Sequence, residues 1–151
     1  MNQYSELLFY LKSLLEADPL VKTVTQGDFD KISQNKMIVY TLAHIVIGEA
    51  SFTNGQTVGF NVQVAAIDQV DSNPELKEGI FFNNNNEVDV FNETLGILNR
   101  LWCKLNQDFE DKGINAPDNC TCNKWMSDVN SAVGFVLNFS VQLDNRKMKL
   151  S

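Results

Sequence analysis

The sequence predicts an α+β fold, a two-layer sandwich in which a mostly antiparallel sheet of four to five strands carries two helices on one face. Three observations predict it: two segments with apolar residues at helical spacing, a long hairpin centred on Asn54-Gly55, and a strictly alternating strand near the C-terminus. Strands that follow each other through tight turns favour antiparallel pairing. The length of 151 residues suits one domain, residues 1–151.

The first predicted helix covers residues 3–16. Its apolar residues recur at the spacing of one helical face; they are Tyr4, Leu7, Leu8, Leu11, Leu14 and Leu15. Asp18-Pro19 ends this helix, because the residue before a proline avoids the helical backbone conformation. A short strand is predicted at residues 21–25, and the polar residues 27–35 indicate a loop.

Residues 36–70 predict a long β-hairpin. Its turn is Asn54-Gly55, because both residue types accept positive φ. A two-residue loop fixes the register without any adjustment and makes one face apolar on both strands. The apolar pairs in this register are Ile47 with Val62, Ile45 with Val64, and Ala43 with Ala66.

The other face of the hairpin is mixed and carries the predicted oligomer interface. A monomer normally keeps an open sheet face polar, whereas this face holds several apolar residues. We therefore expect a neighbouring subunit to cover it. The predicted interface residues are Tyr40, Leu42, His44, Val46 and Ile67.

Residues 71–86 read as a long loop, with a proline, a glycine and a run of four asparagines. Ile80, Phe81 and Phe82 are three bulky apolar residues within this polar segment. Long loops without structure of their own are usually functional or disordered. We expect the loop to be a docking element whose apolar triplet binds a neighbour; the alternative is that the triplet packs on its own subunit.

The second predicted helix covers residues 87–112, with Asn86 as its cap and Gly113 just past its end. Its apolar stripe consists of Val88, Phe91, Leu95, Leu98, Trp102, Leu105 and Phe109. We expect this stripe to pack on the sheet rather than in a coiled coil, because strands are available to cover. Residues 119–126 and 132–143 are predicted strands, and residues 145–151 a flexible basic tail.

Charge and composition exclude several classes of function. The formal net charge is −7, which disfavours general nucleic-acid binding and docking on anionic lipid. No uncharged apolar run approaches the roughly 18 residues of a membrane span. The first ten residues lack the basic segment of a secretory signal, so none is expected.

The residues that usually carry chemistry do not converge in the sequence. His44 lies between Ala43 and Ile45 without an orienting partner, which favours a structural or interface role. Cys120 and Cys122 lie on the same side of a strand, but a structural zinc site needs four ligands, and we expect free thiols. No catalytic residue, metal site or cofactor is therefore predicted.

Three carboxylates lie near the hairpin, where an acid–base site would need them to converge. In the predicted register Asp68 faces Thr41 and Glu49 faces Phe60, while Asp71 follows the end of the strand. Catalytic carboxylate pairs converge on one point, and these do not. The sequence therefore predicts solvated residues at a strand end.

The order of elements resembles the tail terminator and tail-completion proteins of tailed bacteriophages, and the related neck-ring proteins. The resemblance runs from about residue 2 to residue 145. It rests on the N-terminal helix, the hairpin ending in Ala-Ile-Asp-Gln-Val-Asp, the long helix through Leu-Asn-Arg-Leu, and the alternating last strand. The asparagine-rich composition would suit an AT-rich phage genome.

The resemblance implies a structural virion protein that forms a ring, commonly a hexamer, at the tail or the head-to-tail junction. Its expected partners are further copies of itself and neighbouring tail-tube, neck or portal proteins, with DNA passing through an acidic lumen without sequence-specific contacts. Assembly in the host cytoplasm and a place in the virion follow from the same resemblance. The alternative is a small dimeric binding or chaperone-like module without catalysis.

Overall fold

The computed structural model describes residues 3–28, 39–70, 87–112, 114–115, 120–127 and 132–144. Within these ranges the chain forms two helices and a mixed, mostly antiparallel sheet, which confirms the predicted α+β class. The elements in chain order are α1 (Gln3–Glu16), β1 (Thr23–Gln26), β2 (Leu42–Thr53), β3 (Thr57–Gln69), α2 (Glu87–Lys112), β4 (Ile114–Asn115), β5 (Thr121–Ser127) and β6 (Ala132–Asp144).

The described strands form one sheet in the order β1-β2-β3-β6-β4, and β5 also pairs with β6. The pair β3–β6 is the centre of the sheet and runs antiparallel without a shift from Thr57↔Asp144 to Gln69↔Ala132. Strand β1 is parallel to β2, so the sheet is mixed. The two-residue β4 was not predicted, because so short a segment shows no alternation.

The register of the hairpin is as predicted along most of its length and differs by one residue near the turn. Ile47 faces Val62, but Ala50 faces Phe60, where Glu49 was expected. Two residues of β2 lie opposite one residue of β3 between these pairs, which is the pattern of a β-bulge. The prediction of a hairpin without register adjustment is therefore wrong at this end.

The turn explains the shift. Asn54 and Gly55 both adopt positive φ, 51° and 70°, as their residue types predicted. The N–H of Gln56 donates to the C=O of Thr53 at 3.0 Å. Pairing resumes only at Thr57, so the loop has three residues instead of two, and the bulge absorbs the extra one.

Helix α1 begins and ends as predicted and packs through much of the predicted stripe. Leu7, Leu11 and Leu15 are buried. Tyr4, at the start of the stripe, is instead 42% exposed, and Tyr10, outside the stripe, is buried. The centre of the buried face of α1 is thus the row formed by Leu7, Leu11 and Leu15, which are spaced four residues apart.

Helix α2 has the predicted bounds, but its buried face is rotated relative to the predicted stripe. Leu98 and Leu105 are buried as expected, whereas Val88 and Leu95 are 51% and 42% exposed. Trp102 is half-buried, and its ring meets Phe139 edge-on at a centroid distance of 5.8 Å. The buried residues outside the predicted stripe are Val90, Thr94, Ile97 and Leu101.

Contact between the two helices accounts for this rotation. Ile97 and Leu101 line a small cavity together with Leu15 of α1. Beside it, the guanidinium of Arg100 donates to both carboxylate oxygens of Asp18, at 2.7 and 3.1 Å. These hydrogen bonds raise the pKa of Arg100. The stripe predicted from the sequence assumes that α2 packs on the sheet alone and does not include α1 as a second partner.

The sheet carries apolar residues on both faces. The main core joins α1 and α2 to one face, and the alternating residues of β6 on that face are Leu137, Phe139, Val141 and Leu143. A second, smaller cluster contains Leu42, Ala65, Ile67, Ala132 and Val136, with Tyr40 and Trp125 packed against it. Because side chains alternate along a strand, this second cluster lies on the opposite face.

Candidate functional site

The predicted oligomer interface does not form an open surface. Leu42 and Ile67 are fully buried and His44 is 1% exposed within the single chain. Tyr40 and Val46 are half-buried. Leu42 and Ile67 pack in the second cluster, and His44 is buried without belonging to that cluster. These three side chains therefore offer no surface to a neighbouring subunit, and an interface on this face stays a prediction.

His44 is held by strand β1 and the residue that follows it. Its Nε2 lies 2.7 Å from the carbonyl oxygen of Gly27, and its Nδ1 lies 2.7 Å from the hydroxyl of Thr25. A carbonyl only accepts, so Nε2 carries a proton, and the Thr25 hydroxyl donates to Nδ1 when the ring is neutral. This arrangement ties the end of β1 to β2 and fits the structural role predicted for His44. The parallel pairing of β1, which supplies both partners, was not foreseen.

The carboxylates near the hairpin do not converge among the described residues. Asp68 accepts a hydrogen bond from the hydroxyl of Thr41 at 2.9 Å and is half-buried. Burial and the charge of Asp68 raise the pKa of Tyr40. Glu49 is exposed at the bulge, and Asp71 lies outside the described residues. Asp68 therefore faces Thr41, as predicted, and this hydrogen bond joins β2 and β3 at the end of the hairpin away from its turn.

The cysteines are free thiols. Cys120 and Cys122 are half-buried and pack against the main core, and burial raises the pKa of both. A raised pKa keeps a thiol protonated and unreactive at neutral pH. Cys103 is exposed on α2. Among the described residues, no three His, Cys, Asp or Glu side chains come together as a metal site would require.

The structure assembles an uncharged polar groove that the sequence did not predict. It has a volume of about 430 Å³ and lies across β2, β3 and β6. Asn61 lies opposite Ser140, and Gln63 lies opposite Asn138, so two rows of polar side chains form its floor. The lining residues are Val46, Gly48, Asn61, Val62, Gln63, Asn138, Phe139 and Ser140.

The floor of this groove offers both donors and acceptors. The amide of Gln63 donates to the side-chain oxygen of Asn138 at 2.6 Å, and the Gln63 oxygen and the Asn138 amide nitrogen add an acceptor and a donor to the same floor. Asn61 and Ser140 are exposed beside them. Such a surface suits neutral polar groups rather than ions. Polar residues that alternate along β3 and along β6 are visible in the sequence. They form a groove only because β3 and β6 pair, which the sequence alone does not show.

The second feature of this region is the projecting end of the hairpin. Residues 48–56 are all exposed, and Phe52 is 82% exposed. The twelve residues 50–61 contain no Asp, Glu, Lys, Arg or His. Beyond Glu49, which is exposed at the bulge, the hairpin end is therefore an uncharged arm with one large apolar side chain in water.

The predicted docking loop, residues 71–86 with Ile80, Phe81 and Phe82, lies outside the described residues. So do Asn86 and Gly113, the predicted ends of the second helix, and the tail 145–151. The predictions made for these segments remain untested.

No protein-family model matches the chain, and no curated protein matches it. No described helix has the length and apolar character that crossing a bilayer requires. The class defined by the structure is thus an α+β domain with an uncharged groove and a projecting hairpin.

Proposed function

We propose that this protein is a ring-forming structural protein of a tailed bacteriophage, located at the tail or the head-to-tail junction. The order of α1, β1, the β2–β3 hairpin, α2 and the closing strand β6 supports the proposal, because it is the order that the tail terminator and neck-ring resemblance implies. The role is structural rather than catalytic, and the expected partners are further copies and the adjoining tail-tube, neck or portal proteins.

The observation that carries the proposal is the exposed end of the hairpin. A monomer gains nothing from holding Phe52 at 82% exposure. Burial of such a side chain against a neighbour is worth roughly 1.5–3 kcal/mol. The contact surface we propose therefore includes the hairpin end rather than the buried residues Leu42, His44 and Ile67.

The net negative charge of the chain is consistent with a ring that surrounds DNA. Its formal net charge is −7. A lumen lined by acids repels phosphates, so DNA can pass without being retained. A protein that binds DNA needs a basic face instead.

Sedimentation velocity over a range of concentrations tests this proposal. We expect the wild-type protein to have the mass of a ring, a multiple of 17.0 kDa above the dimer. Phe52→Asp should shift it towards the monomer, because a buried unpaired carboxylate is costly. The control is Met126→Asp, which changes another exposed residue, 61% exposed on β5.

The expected result for the control is an unchanged mass. A wild-type protein that stays monomeric at all concentrations would refute the proposal. A compact dimer would favour the alternative of a small binding or chaperone-like module.

A further inference from the structure

Strand β2 has an open edge along its outer half. Strand β1 pairs with β2 only from Leu42 to Ile45, and the N–H of Gly27 donates to the carbonyl oxygen of Ile45 at 3.0 Å. Beyond Ile45, the described part of the chain places only β3 beside β2. An open strand edge presents backbone N–H and C=O groups with which a further extended segment can pair. We call residues 46–53 of β2 the free edge.

The hydrogen bond that closes the turn shows which backbone groups point to the free edge. The carbonyl of Thr53 accepts this bond, so Thr53 directs its backbone groups inward. Backbone groups alternate in direction along a strand of an antiparallel pair, so those of Ala50 and Phe52 point away from β3. Phe60 and Val58, which lie opposite these two residues, are buried in the main core. Phe52 is therefore on the face of the sheet that bears the helices, and it is 82% exposed there.

The basic tail predicted from the sequence, residues 145–151, has the pattern of a strand that would fit this edge. Met148 and Leu150 alternate with Lys147 and Lys149. In an extended conformation the two apolar side chains lie on one face and the two lysines on the other. The tail holds three basic residues and no acid, in a chain whose formal net charge is −7. An acidic surface of this protein therefore attracts it.

The free edge complements both faces of such a strand. On the face that bears the helices, Phe52 is an apolar side chain in water that Met148 and Leu150 can cover. Glu49 is the one charged residue of the free edge, and it is exposed at the bulge opposite Asn61. Asn61 lines the groove on the other face, so an acid lies where the lysines of the tail would follow.

We propose that the basic tail of one copy adds to the free edge of a second copy as a further strand of its sheet. Backbone hydrogen bonds at Ala50 and Phe52 hold the added strand. The alternation of apolar and basic residues in the tail determines which of its faces lies beside Phe52. Burial of Phe52 at this contact accounts for its exposure in the single chain.

The position of the tail favours a second copy over the same chain. Asp144 ends β6 opposite Thr57, and Thr57 lies opposite Thr53, so the tail starts two strand spacings, about 10 Å, from the end of the free edge. To add to its own β2, the tail would cross the hairpin end and one more spacing, about 14 Å in all. That crossing takes about four extended residues and would use Met148 before the pairing begins. The tail of another copy can approach along the edge and keep both apolar residues for the contact.

This inference rests on the self-association in the proposed function but not on the closure of a ring. The tail and the free edge are different surfaces. Successive contacts between them build a ring when the rotation closes, whereas reciprocal exchange of two tails closes a two-fold dimer. The tail contact and the ring can therefore fail separately.

Complementation between two variants of the full chain tests the inference. The edge variant is Ala50→Pro, which removes an N–H that points to the free edge and leaves the bonds between β2 and β3 in place. The tail variant is Met148→Asp/Leu150→Asp, which puts carboxylates where we expect apolar contact. Its control is Met126→Asp, at a methionine of β5 that is 61% exposed. Circular dichroism establishes that the variants are folded.

Each variant alone should need at least about a tenfold higher concentration to assemble than the wild type and the control. Mixed together, the two variants should form a 1:1 dimer that grows no further, measured by sedimentation velocity. The intact tail of the edge variant then binds the intact free edge of the tail variant, and the remaining tail and edge are both altered.

Hydrogen exchange of the wild type is a second measurement, which needs no proline in β2. The amides of Ala50 and Phe52 should exchange at least about tenfold more slowly above the midpoint of assembly than below it. The amide of Leu11, inside α1, should exchange equally in both states. In the tail variant the difference at Ala50 and Phe52 should disappear, and a difference that persists there would contradict the inference.

The outcomes separate this inference from the function on which it rests. If the wild type forms rings and both variants do so equally well, the tail contact fails and the ring stands. If the wild type forms only dimers and the variants complement each other, the ring fails and the tail contact stands. A mixture that stays monomeric overturns the inference, and lower stability of both variants in urea would then indicate that the tail pairs with its own β2. A wild type that never assembles overturns both.

Discussion

Gly134 is the residue at which the sheet leaves least room for a side chain. A Cβ at this position would lie 1.8 Å from the carbonyl oxygen of Ala66 and 2.9 Å from its carbonyl carbon. These are backbone atoms of the central strand β3, which cannot move without breaking the β3–β6 ladder. Trp125 of β5 lies opposite Gly134 and packs against the second cluster.

We therefore expect Gly134→Ala to destabilise the protein by about 3 kcal/mol or to prevent folding, the upper end of the usual cost of overpacking. Gly59→Ala is the matched control in β3. Its Cβ would meet the Oγ of Ser51 at 2.8 Å, a side chain that can rotate away. Urea unfolding should show a loss below about 1 kcal/mol for the control, and equal losses would contradict the account of the β3–β6 pair.

Tyr10 of α1 connects the two helices through a hydrogen bond to Asp108 of α2. Its hydroxyl donates to a carboxylate oxygen of Asp108 at 2.5 Å. Burial, this hydrogen bond and the charge of Asp108 raise the pKa of Tyr10 well above its ordinary value of 10.0. The folded state therefore keeps the phenol protonated at a pH where the unfolded chain ionises.

This shift predicts a specific alkaline sensitivity. The stabilisation from Tyr10 is complete below pH 10 and is lost as the pH rises above it, since the unfolded state then releases a proton that the folded state keeps. Tyr10→Phe should cost about 1 kcal/mol at neutral pH and unfold with a shallower pH dependence above pH 10. Tyr4→Phe, at an exposed tyrosine of the same helix, is the control. Identical pH dependence in wild type and Tyr10→Phe would exclude the role of this hydroxyl.

Helix α2 shows at the scale of an element what a sequence pattern specifies and what it omits. The length and position of α2 were predictable from its periodicity, and so was the burial of Leu98 and Leu105. The exposure of Val88 and Leu95 was not, because a stripe defines one face and α2 packs on two partners, the sheet and α1. The ion pair between Arg100 and Asp18 depends on residues 82 apart, which no local pattern connects.

Two matched substitutions in α2 test this rotation. Leu98 is 1% exposed and Leu95 is 42% exposed. Leu98→Ala should cost about 3 kcal/mol, as expected for a buried leucine, and Leu95→Ala less than about 1 kcal/mol. Thermal or denaturant unfolding measures both. Similar losses would restore the stripe predicted from the sequence and contradict the buried face described for α2.

In the sheet, too, local patterns predict some features, and contacts between distant residues decide the others. The hairpin turn and the alternation in β6 were visible in the sequence because they are local. The bulge beside Gly48 and the parallel pairing of β1 depend on loop length and on contacts between distant strands. The burial of His44 and the groove at Asn61 and Ser140 follow from contacts between distant strands, which is why no local pattern in the sequence predicts them.

At the scale of the whole molecule, the distribution of charge and the exposure of Phe52 both favour contact through the hairpin end. A chain with a formal net charge of −7 has no charged residue between residues 50 and 61 of the hairpin, and it holds Phe52 of this segment in water. Association through the hairpin end would bury the side chain that a single chain leaves exposed.

Electron microscopy of the wild-type protein at assembling concentrations tests the central claim most directly. The account predicts closed rings with a central hole, rotational symmetry and one subunit mass of 17.0 kDa per repeat. Monomers, compact two-fold dimers or open filaments without closure would contradict it.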